Sequence, residues 1–265
     1  MYYHNNHNKK NTSMKQYRTI VLVVTVCFIC MSTTLSQASD FIWQQISGNW
    51  SVVADNKESY LKENRSKAFA FDYSPLINCN AIISTNSSIV FTRLTHTLML
   101  DAPQDTATYF TFFNASDYRQ FYAVQLTGND SCITTLSIIQ SDIKDTTLPK
   151  QAKGNFIITT LASSDVQLAY GQPYTLTIAI KNAIITVLVD DKQVLSHTLN
   201  EKLEGGSIGF ASKNCIPIID NCKVYNGSSV VFEDDFSKES IRKIILKGKK
   251  LTPQEIEEQK KKQNK

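Results

Sequence analysis

A strict alternation of apolar and polar residues runs through the middle of this chain. Within residues 174–181 the side chains of Leu176, Ile178 and Ile180 share one face of an extended chain, and Thr or Ala residues occupy the other face. A period of two residues is typical of a strand with one buried face. Turn-forming residues follow at Lys181-Asn182 and again at Asp190-Asp191. Residues 174–198 are therefore predicted to form a three-stranded meander.

Similar short runs extend from residue 39 to residue 236. They are rich in Val, Ile, Thr, Phe and Tyr and are separated by Asn, Asp, Gly and Ser, which is the pattern of strands joined by turns. No helical periodicity longer than two turns interrupts the region. The sequence therefore predicts an all-β fold, an antiparallel two-sheet jelly-roll sandwich. The clearest predicted strands are 89–93, 108–113, 120–126, 134–139, 155–161, 174–181 and 184–189.

The N-terminal 38 residues have the composition of an export signal. A basic segment, 9–18, precedes an apolar run, 19–31, and Ser36-Gln37-Ala38 forms a small-x-small cleavage site. The apolar run is shorter than the roughly 20 residues that a spanning helix needs, so no transmembrane anchor is expected in the mature chain. A lipoprotein is the alternative at Cys30, although the residues before it are not the usual small ones. We predict a signal peptide at 1–38 and a secreted or periplasmic protein.

The positive charge of the chain is concentrated at its two ends. Residues 1–38 carry a net charge of +4 and residues 238–265 carry +6, whereas the whole chain carries +4, so the segment between them has a net charge of −6. A mildly acidic domain argues against nucleic-acid binding. Residues 237–265 are predicted to be a basic helical tail, with one helix over 238–247 and another starting at 252–255. This tail could contact nucleic acid or an anionic surface, or simply be a solvated terminus.

Four cysteines remain after the signal peptide, and an oxidising compartment favours disulfides. Cys215 and Cys222 are close in sequence and are predicted to bridge one hairpin. Cys79 and Cys132 would then link two distant strands. The alternative is four free, buried thiols. A zinc site is not expected because the mature chain has no C-x-x-C pair and only two histidines.

Four segments resemble the concanavalin A-like jelly rolls, in particular laminin-G-like and exported 3-keto-disaccharide-hydrolase-like domains. They are the opening Asp40-Phe41-Ile42-Trp43 with 48–53, the strand 120–126, the meander strand 185–194, and the closing pair 206–210 and 219–224. Ile219 and Cys222 depart from the family's usual Phe and Val. Residues 232–237 echo the opening motif and are interpreted as a final strand that returns beside the first. The resemblance implies a carbohydrate or cell-surface ligand.

The residues argue against catalysis. Glucan hydrolases of this superfamily carry E-x-D-x-x-E on one strand, where alternate carboxylates share a face over the scissile bond. The nearest match, Glu233-Asp234-Asp235, has Lys238 in place of the last Glu. We therefore expect a non-catalytic carbohydrate-binding protein. A polysaccharide hydrolase or lyase of the same fold is the first alternative, and a structural envelope protein without a small ligand is the second.

Aromatic residues interleaved with polar ones point to a glycan site at residues 109–122, because sugars dock on aromatic faces with polar groups nearby. The predicted ligand-binding residues are Tyr109, Tyr118, Arg119, Gln120 and Tyr122. Calcium is common in the resembled superfamily, and Asp220, Asp234 and Asp235 offer hard oxygen ligands. Asp220 could instead cap its loop through backbone hydrogen bonds. Trp43 and Trp50 are predicted to be core or edge-covering residues.

Overall fold

The computed structural model describes residues 43–55, 58–63, 79–84, 88–101, 105–116, 119–145, 147, 155–237 and 244–245. All regular structure in this part of the chain is β. The strands in chain order are β1 (Trp43–Ser47), β2 (Trp50–Asp55), β3 (Glu58–Glu63), β4 (Asn80–Ser84), β5 (Arg93–Leu100), β6 (Ala107–Ala115), β7 (Phe121–Gly128), β8 (Cys132–Asp142), β9 (Ile157–Ala169), β10 (Tyr174–Lys181), β11 (Ile184–Val189), β12 (Lys192–Thr198), β13 (Ser207–Lys213), β14 (Pro217–Asn226), β15 (Ser229–Asp234) and β16 (Ile244–Ile245).

The strands form two sheets. The first has the order β16-β1-β4-β13-β6-β7-β8-β9, and the second has the order β12-β11-β10-β5-β14-β3-β2 with β15 paired to β14. Every pair is antiparallel except β1 with β16. The predicted all-β jelly-roll sandwich is confirmed. Among the described residues no helix is long and apolar enough to cross a membrane.

One apolar core lies between the two sheets. The inward side chains of alternate residues meet there, including Trp43 and Phe210 from the first sheet and Leu61 and Leu94 from the second. The Trp43 and Phe210 rings stack with centroids 5.3 Å apart. Trp43 and Trp50 are both buried, as predicted. Burial of such large side chains is the main driving force for closing the sandwich.

A second group of buried side chains lies on the opposite, outer face of the first sheet. We call it the outer cluster, and it includes Phe110, Phe112, Phe121, Ala123 and Ile139. Its members are mutual neighbours across β6, β7 and β8, because Phe112 pairs with Ala123 and Ala123 with Ile139. Since these positions are buried, the outer face of these three strands does not present an open aromatic platform to a ligand at those positions.

The meander of residues 174–198 is confirmed as β10, β11 and β12, and two predicted strands have the observed ends. The prediction for 89–93 is wrong: Ile89 makes a single bridge to Gly206, and β5 begins only at Arg93. Val90 in this segment is half exposed, because the chain here runs along the end of the sandwich rather than within a ladder. Strand 155–161 starts at Ile157 but continues to Ala169.

Neither predicted disulfide is present, and all four cysteines carry free thiols. The segment from Cys215 to Cys222 is not a hairpin, since β13 belongs to the first sheet and β14 to the second. Cys79 precedes β4 and Cys132 begins β8, with three strands between them, so the two lie about 19 Å apart at the usual strand spacing. That is far beyond the reach of a disulfide. The alternative of free thiols is therefore the one observed.

The end of the chain also differs from expectation. Ile244–Ile245 forms a short parallel strand against Trp43 and Gln44, so the predicted helix over 238–247 is wrong at these two residues. The rest of that helix and the helix start at 252–255 lie outside the described residues. Residues Ser229–Asp234 do form a late strand, but it pairs with β14 rather than with β1. The predicted signal peptide at 1–38 also lies outside the described part.

Candidate ligand-binding cleft

The aromatic residues of β6 are divided between two buried faces. Tyr109 points into the core between the sheets with no exposed surface, whereas Phe110 and Phe112 point into the outer cluster. The hydroxyl of Tyr109 lies 3.1 Å from Nε2 of His96, and burial raises the pKa of Tyr109 well above its usual value. The prediction of Tyr109 as a ligand contact is wrong, because strand alternation places it inward.

Arg119, predicted as a ligand-binding residue, is also buried. Only 5% of its surface is accessible, and its backbone carbonyl accepts a hydrogen bond from the Ser141 hydroxyl on β8. The residue therefore belongs to the packed junction between β6 and β7 rather than to a ligand surface. Tyr118 lies outside the described residues, so its predicted role remains a prediction.

The remaining two predicted site residues come together. Gln120 and Tyr122 line a cleft of about 430 Å³ at one end of the sandwich, where the β6–β7 turn, the end of β8 and the loop before β13 meet. Pockets of several hundred Å³ are typical of small-molecule sites. The lining residues are mostly polar: Asn114, Ser116, Gln120, Phe121, Tyr122, Gln140, Ser141, Asp142, Glu201, Lys202, Leu203, Glu204 and Gly205.

Gln120 is held in a defined orientation within the cleft. Its Nε2 donates to Oδ1 of Asp142 at 2.8 Å, and the Ser116 hydroxyl lies 3.4 Å from its Oε1. The same Asp142 oxygen accepts from the backbone N–H of Ile143 at 2.7 Å. Because Asp142 is anchored by the backbone, it fixes the side-chain amide of Gln120. A fixed amide offers a ligand one donor and one acceptor direction at low entropic cost.

Tyr122 contributes a rigid phenol at the base of the cleft. Its ring stacks on Phe113 with centroids 6.2 Å apart, and most of its surface is buried. Burial raises the pKa of Tyr122, and the negative charges of Glu201 and Asp142 raise it further. The hydroxyl therefore stays protonated at neutral pH and acts as a hydrogen-bond donor rather than as a base.

The loop that carries Glu201, Lys202 and Glu204 is tied to the β6–β7 side of the cleft. Oδ1 of Asn114 accepts a hydrogen bond from the backbone N–H of Gly205 at 2.8 Å. Asn114 has a φ of 49°, a left-handed conformation that Asn tolerates better than most residues. This contact joins positions 91 residues apart, so the charged residues of the loop face the Gln120 side only in the folded chain.

The three aspartates predicted as calcium ligands serve other contacts. Asp234 is buried and accepts hydrogen bonds from the indole of Trp43 and from the backbone of Phe236. Asp220 accepts from the backbone N–H of Asn221, and Asp235 accepts from that of Ser237. In the described part of the chain, no group of three or more His, Cys, Asp or Glu side chains is placed to hold a metal ion. The structure therefore does not gather these three carboxylates into a calcium site.

Neither a protein-family model nor a curated protein matches the sequence. Several solved structures are similar in fold. A carbohydrate-binding module, CBM66, from Bacillus subtilis is 11% identical with a TM-score of 0.46, covering 68% of this chain and 92% of the module. A Bacillus subtilis protein of unknown function with a galectin-like fold is 11% identical with a TM-score of 0.47, over 69% and 89%. A Bacteroides ovatus GH16 protein of a mixed-linkage glucan locus is 9% identical with a TM-score of 0.49, over 72% and 96%. At these values the similarities assign neither a family nor a function.

Sequence reasoning missed the cleft residues of the loop before β13. Glu201, Lys202 and Glu204 surround Leu203 immediately before the glycine pair that opens the closing motif. A short charged segment of this kind reads as an ordinary solvated turn, so its composition gave no functional signal. Its position opposite Gln120 depends on sheet order, which places β13 next to β6.

Proposed function

We propose that the protein is an exported, non-catalytic β-sandwich that binds a carbohydrate or another polyhydroxyl ligand of a cell surface in the cleft at the end of the sandwich. The observation that carries this proposal is the convergence of oriented polar groups on one space of about 430 Å³. Gln120 and Gln140 offer amides, Glu201 offers an acceptor, and Tyr122 offers a donor. Sugar hydroxyls require such mixed donors and acceptors in fixed places. Export rests on the composition of residues 1–38 alone.

The chemistry of the cleft favours binding over catalysis. Asp142 already accepts two hydrogen bonds, so its role is to hold Gln120. Glu201 and Glu204 have exposed side chains on a loop, whereas a catalytic carboxylate pair requires a fixed separation across the scissile bond. Tyr122, with its raised pKa, is unsuited to act as the base of a lyase.

A glycan array probed with the purified protein, followed by calorimetry on each hit, tests the proposal. We expect Gln120→Ala and Glu201→Gln each to weaken binding of a hit by roughly tenfold, the loss of about one hydrogen bond to a charged or oriented group. Asp191→Asn is the matched control, because it removes an acid at the far end of β11, and Asn suits its left-handed φ of 63°. Binding that is unchanged in both cleft variants would place the site elsewhere.

The presence of three carboxylates in the cleft, Asp142, Glu201 and Glu204, supports a hydrolase or lyase as the second candidate. Turnover of an array hit decides between the two. An enzyme should lose at least a hundredfold in rate in Glu201→Gln or Asp142→Asn while still binding the sugar. A hit that binds but is not cleaved supports the non-catalytic function.

A further inference from the structure

A second, mostly apolar compartment adjoins the polar cleft. It has a volume of about 270 Å³ and is formed where β10 turns into β11, next to the irregular segment before β5. Its apolar lining consists of Val90, Phe91, Ile180, Ala183 and Leu203. Val90 lines this compartment with 50% of its surface exposed.

The two compartments share a wall. Asn114, Lys202, Leu203 and Gly205 line both of them, so the apolar space opens directly beside the polar one. The hydrogen bond from Gly205 to Asn114 fixes this wall. The polar and the apolar surface are therefore continuous, and a single small ligand could contact both.

The apolar compartment is held open by backbone contacts rather than by mobile side chains. Gly206 donates to the carbonyl of Ile89 at 3.1 Å, and Thr92 donates to the carbonyl of Tyr225 at 2.7 Å. Ile180 in turn donates to the carbonyl of Thr92 at 2.8 Å. Backbone hydrogen bonds thus hold the chain on both sides of Val90, at Ile89 and at Thr92. Val90 therefore forms one wall of a preformed space.

The size of the compartment sets what it can accept. Benzene fits a closed apolar cavity of about 150 Å³. A space of about 270 Å³ therefore accepts an aromatic ring or an alkyl chain of about six carbons. Contact with its apolar lining would release water from such a group, with a gain in free energy proportional to the buried area.

We propose that the ligand is amphipathic: a glycoside or glycoconjugate whose sugar lies in the polar cleft and whose apolar aglycone lies in the Val90 compartment. This inference rests on the proposed function, because the sugar must occupy the polar side. Lys202, at the shared wall, is placed to reach the junction between the two parts. An unsubstituted sugar would occupy only the polar cleft and would leave the apolar compartment exposed to water.

The test compares matched methyl and hexyl glycosides, each with glucose, galactose, mannose and glucuronic acid as the head, at concentrations below micelle formation. Calorimetry with the purified protein should show the hexyl compound of the preferred sugar binding at least tenfold more tightly than the methyl compound. Val90→Asp should remove this gain and leave methyl glycoside binding unchanged. Val230→Asp is the control, because Val230 on β15 is similarly exposed, at 44%, but does not line the compartment.

Each remaining outcome overturns a stated claim. Equal affinity of methyl and hexyl glycosides, together with a positive glycan array, would refute the amphipathic ligand and leave the proposed function standing. If both valine variants lose the tighter binding of the hexyl glycoside, that binding comes from a nonspecific apolar surface and not from the compartment. Hexanol binding as tightly as the hexyl glycoside would show an apolar site that needs no sugar. No binding to any glycoside or to the array would refute both proposals.

Discussion

The indole Nε1 of Trp43 donates a hydrogen bond to Oδ2 of Asp234 at 3.0 Å, across 191 residues of sequence. Phe236 packs on the same indole, with ring centroids 6.0 Å apart, and its backbone N–H donates to the other carboxylate oxygen at 2.8 Å. One oxygen of this buried carboxylate thus fastens the end of β15 to β1, and the other holds the backbone at Phe236, whose ring packs on Trp43. The acid that resembled a calcium ligand in the sequence is a structural clasp.

Asp234→Ala should destabilise the fold by about 2 to 4 kcal/mol, because it leaves a buried indole N–H and a buried backbone N–H without acceptors. Urea denaturation followed by tryptophan fluorescence measures the change. The control is Asp235→Ala, whose exposed side chain accepts a single local hydrogen bond from Ser237 and should matter by less than about 1 kcal/mol. Equal effects of the two substitutions would contradict the clasp.

His96 makes stability depend on pH. It is fully buried, its Nε2 contacts the Tyr109 hydroxyl and its Nδ1 has no hydrogen-bond partner, and burial lowers the pKa of His96 to about 3. Between pH 6.5 and about pH 3 this histidine binds a proton in the unfolded state but not in the folded state. The free energy of unfolding therefore falls as the pH falls. We expect a loss of about 1.4 kcal/mol per pH unit from this residue.

Denaturation curves at pH 7, 6 and 5 test this dependence. The free energy of unfolding of His96→Gln should lack the component of about 2 kcal/mol that the wild type loses between pH 6.5 and pH 5. His197→Gln removes the other described histidine, on β12, and should retain the wild-type fall. A variant profile parallel to the wild type would show that His96 is not responsible.

The thiols should differ in reactivity according to burial. Burial raises the pKa of Cys79 and of Cys215 to about 12 and that of Cys222 well above its usual value, so these thiols carry almost no thiolate at neutral pH. Cys132 is only half-buried. Maleimide labelling of the native protein, read by peptide mass spectrometry, should modify Cys132 first and the other three only after denaturation. Detection of two cysteine peptides joined by a disulfide would contradict the free-thiol state.

Gly209 explains why the closing motif needs a glycine. A Cβ at this position on β13 would lie 2.3 Å from the Phe112 ring and 2.4 Å from the carbonyl oxygen of Ile82. Gly209→Ala should therefore destabilise the protein by about 3 kcal/mol, since neither neighbour in the packed sheet can move away cheaply. Gly171→Ala is the control: no atom lies within 4 Å, and only its left-handed φ of 73° opposes the change, at about 1 kcal/mol. Thermal unfolding of both variants tests this expectation. Equal decreases in the unfolding temperature would refute the steric explanation.

The sequence by itself determined most of the strands and their inward faces. Leu176 and Ile178 are buried as their alternation required, because a period of two residues is a local property of an extended chain. It also predicted the sandwich, since so many short amphipathic strands must cover one another. Two of the five predicted ligand residues, Tyr109 and Arg119, are in contrast buried. The sequence does not show this, because aromatic and cationic side chains near a turn look alike whether they are packed or exposed.

Only the tertiary structure decided which strands became neighbours. Sheet order separates Cys79 from Cys132, and it places Cys215 in the crossing between the two sheets and Cys222 within β14. The same order brings the loop with Glu201 opposite Gln120, and it turns Asp234 towards Trp43. These contacts join residues that are distant in sequence, and local periodicity carries no information about the partner across a sheet. The strands were therefore readable from the chain, whereas the cleft, the clasp and the free thiols were set by how the two sheets are assembled.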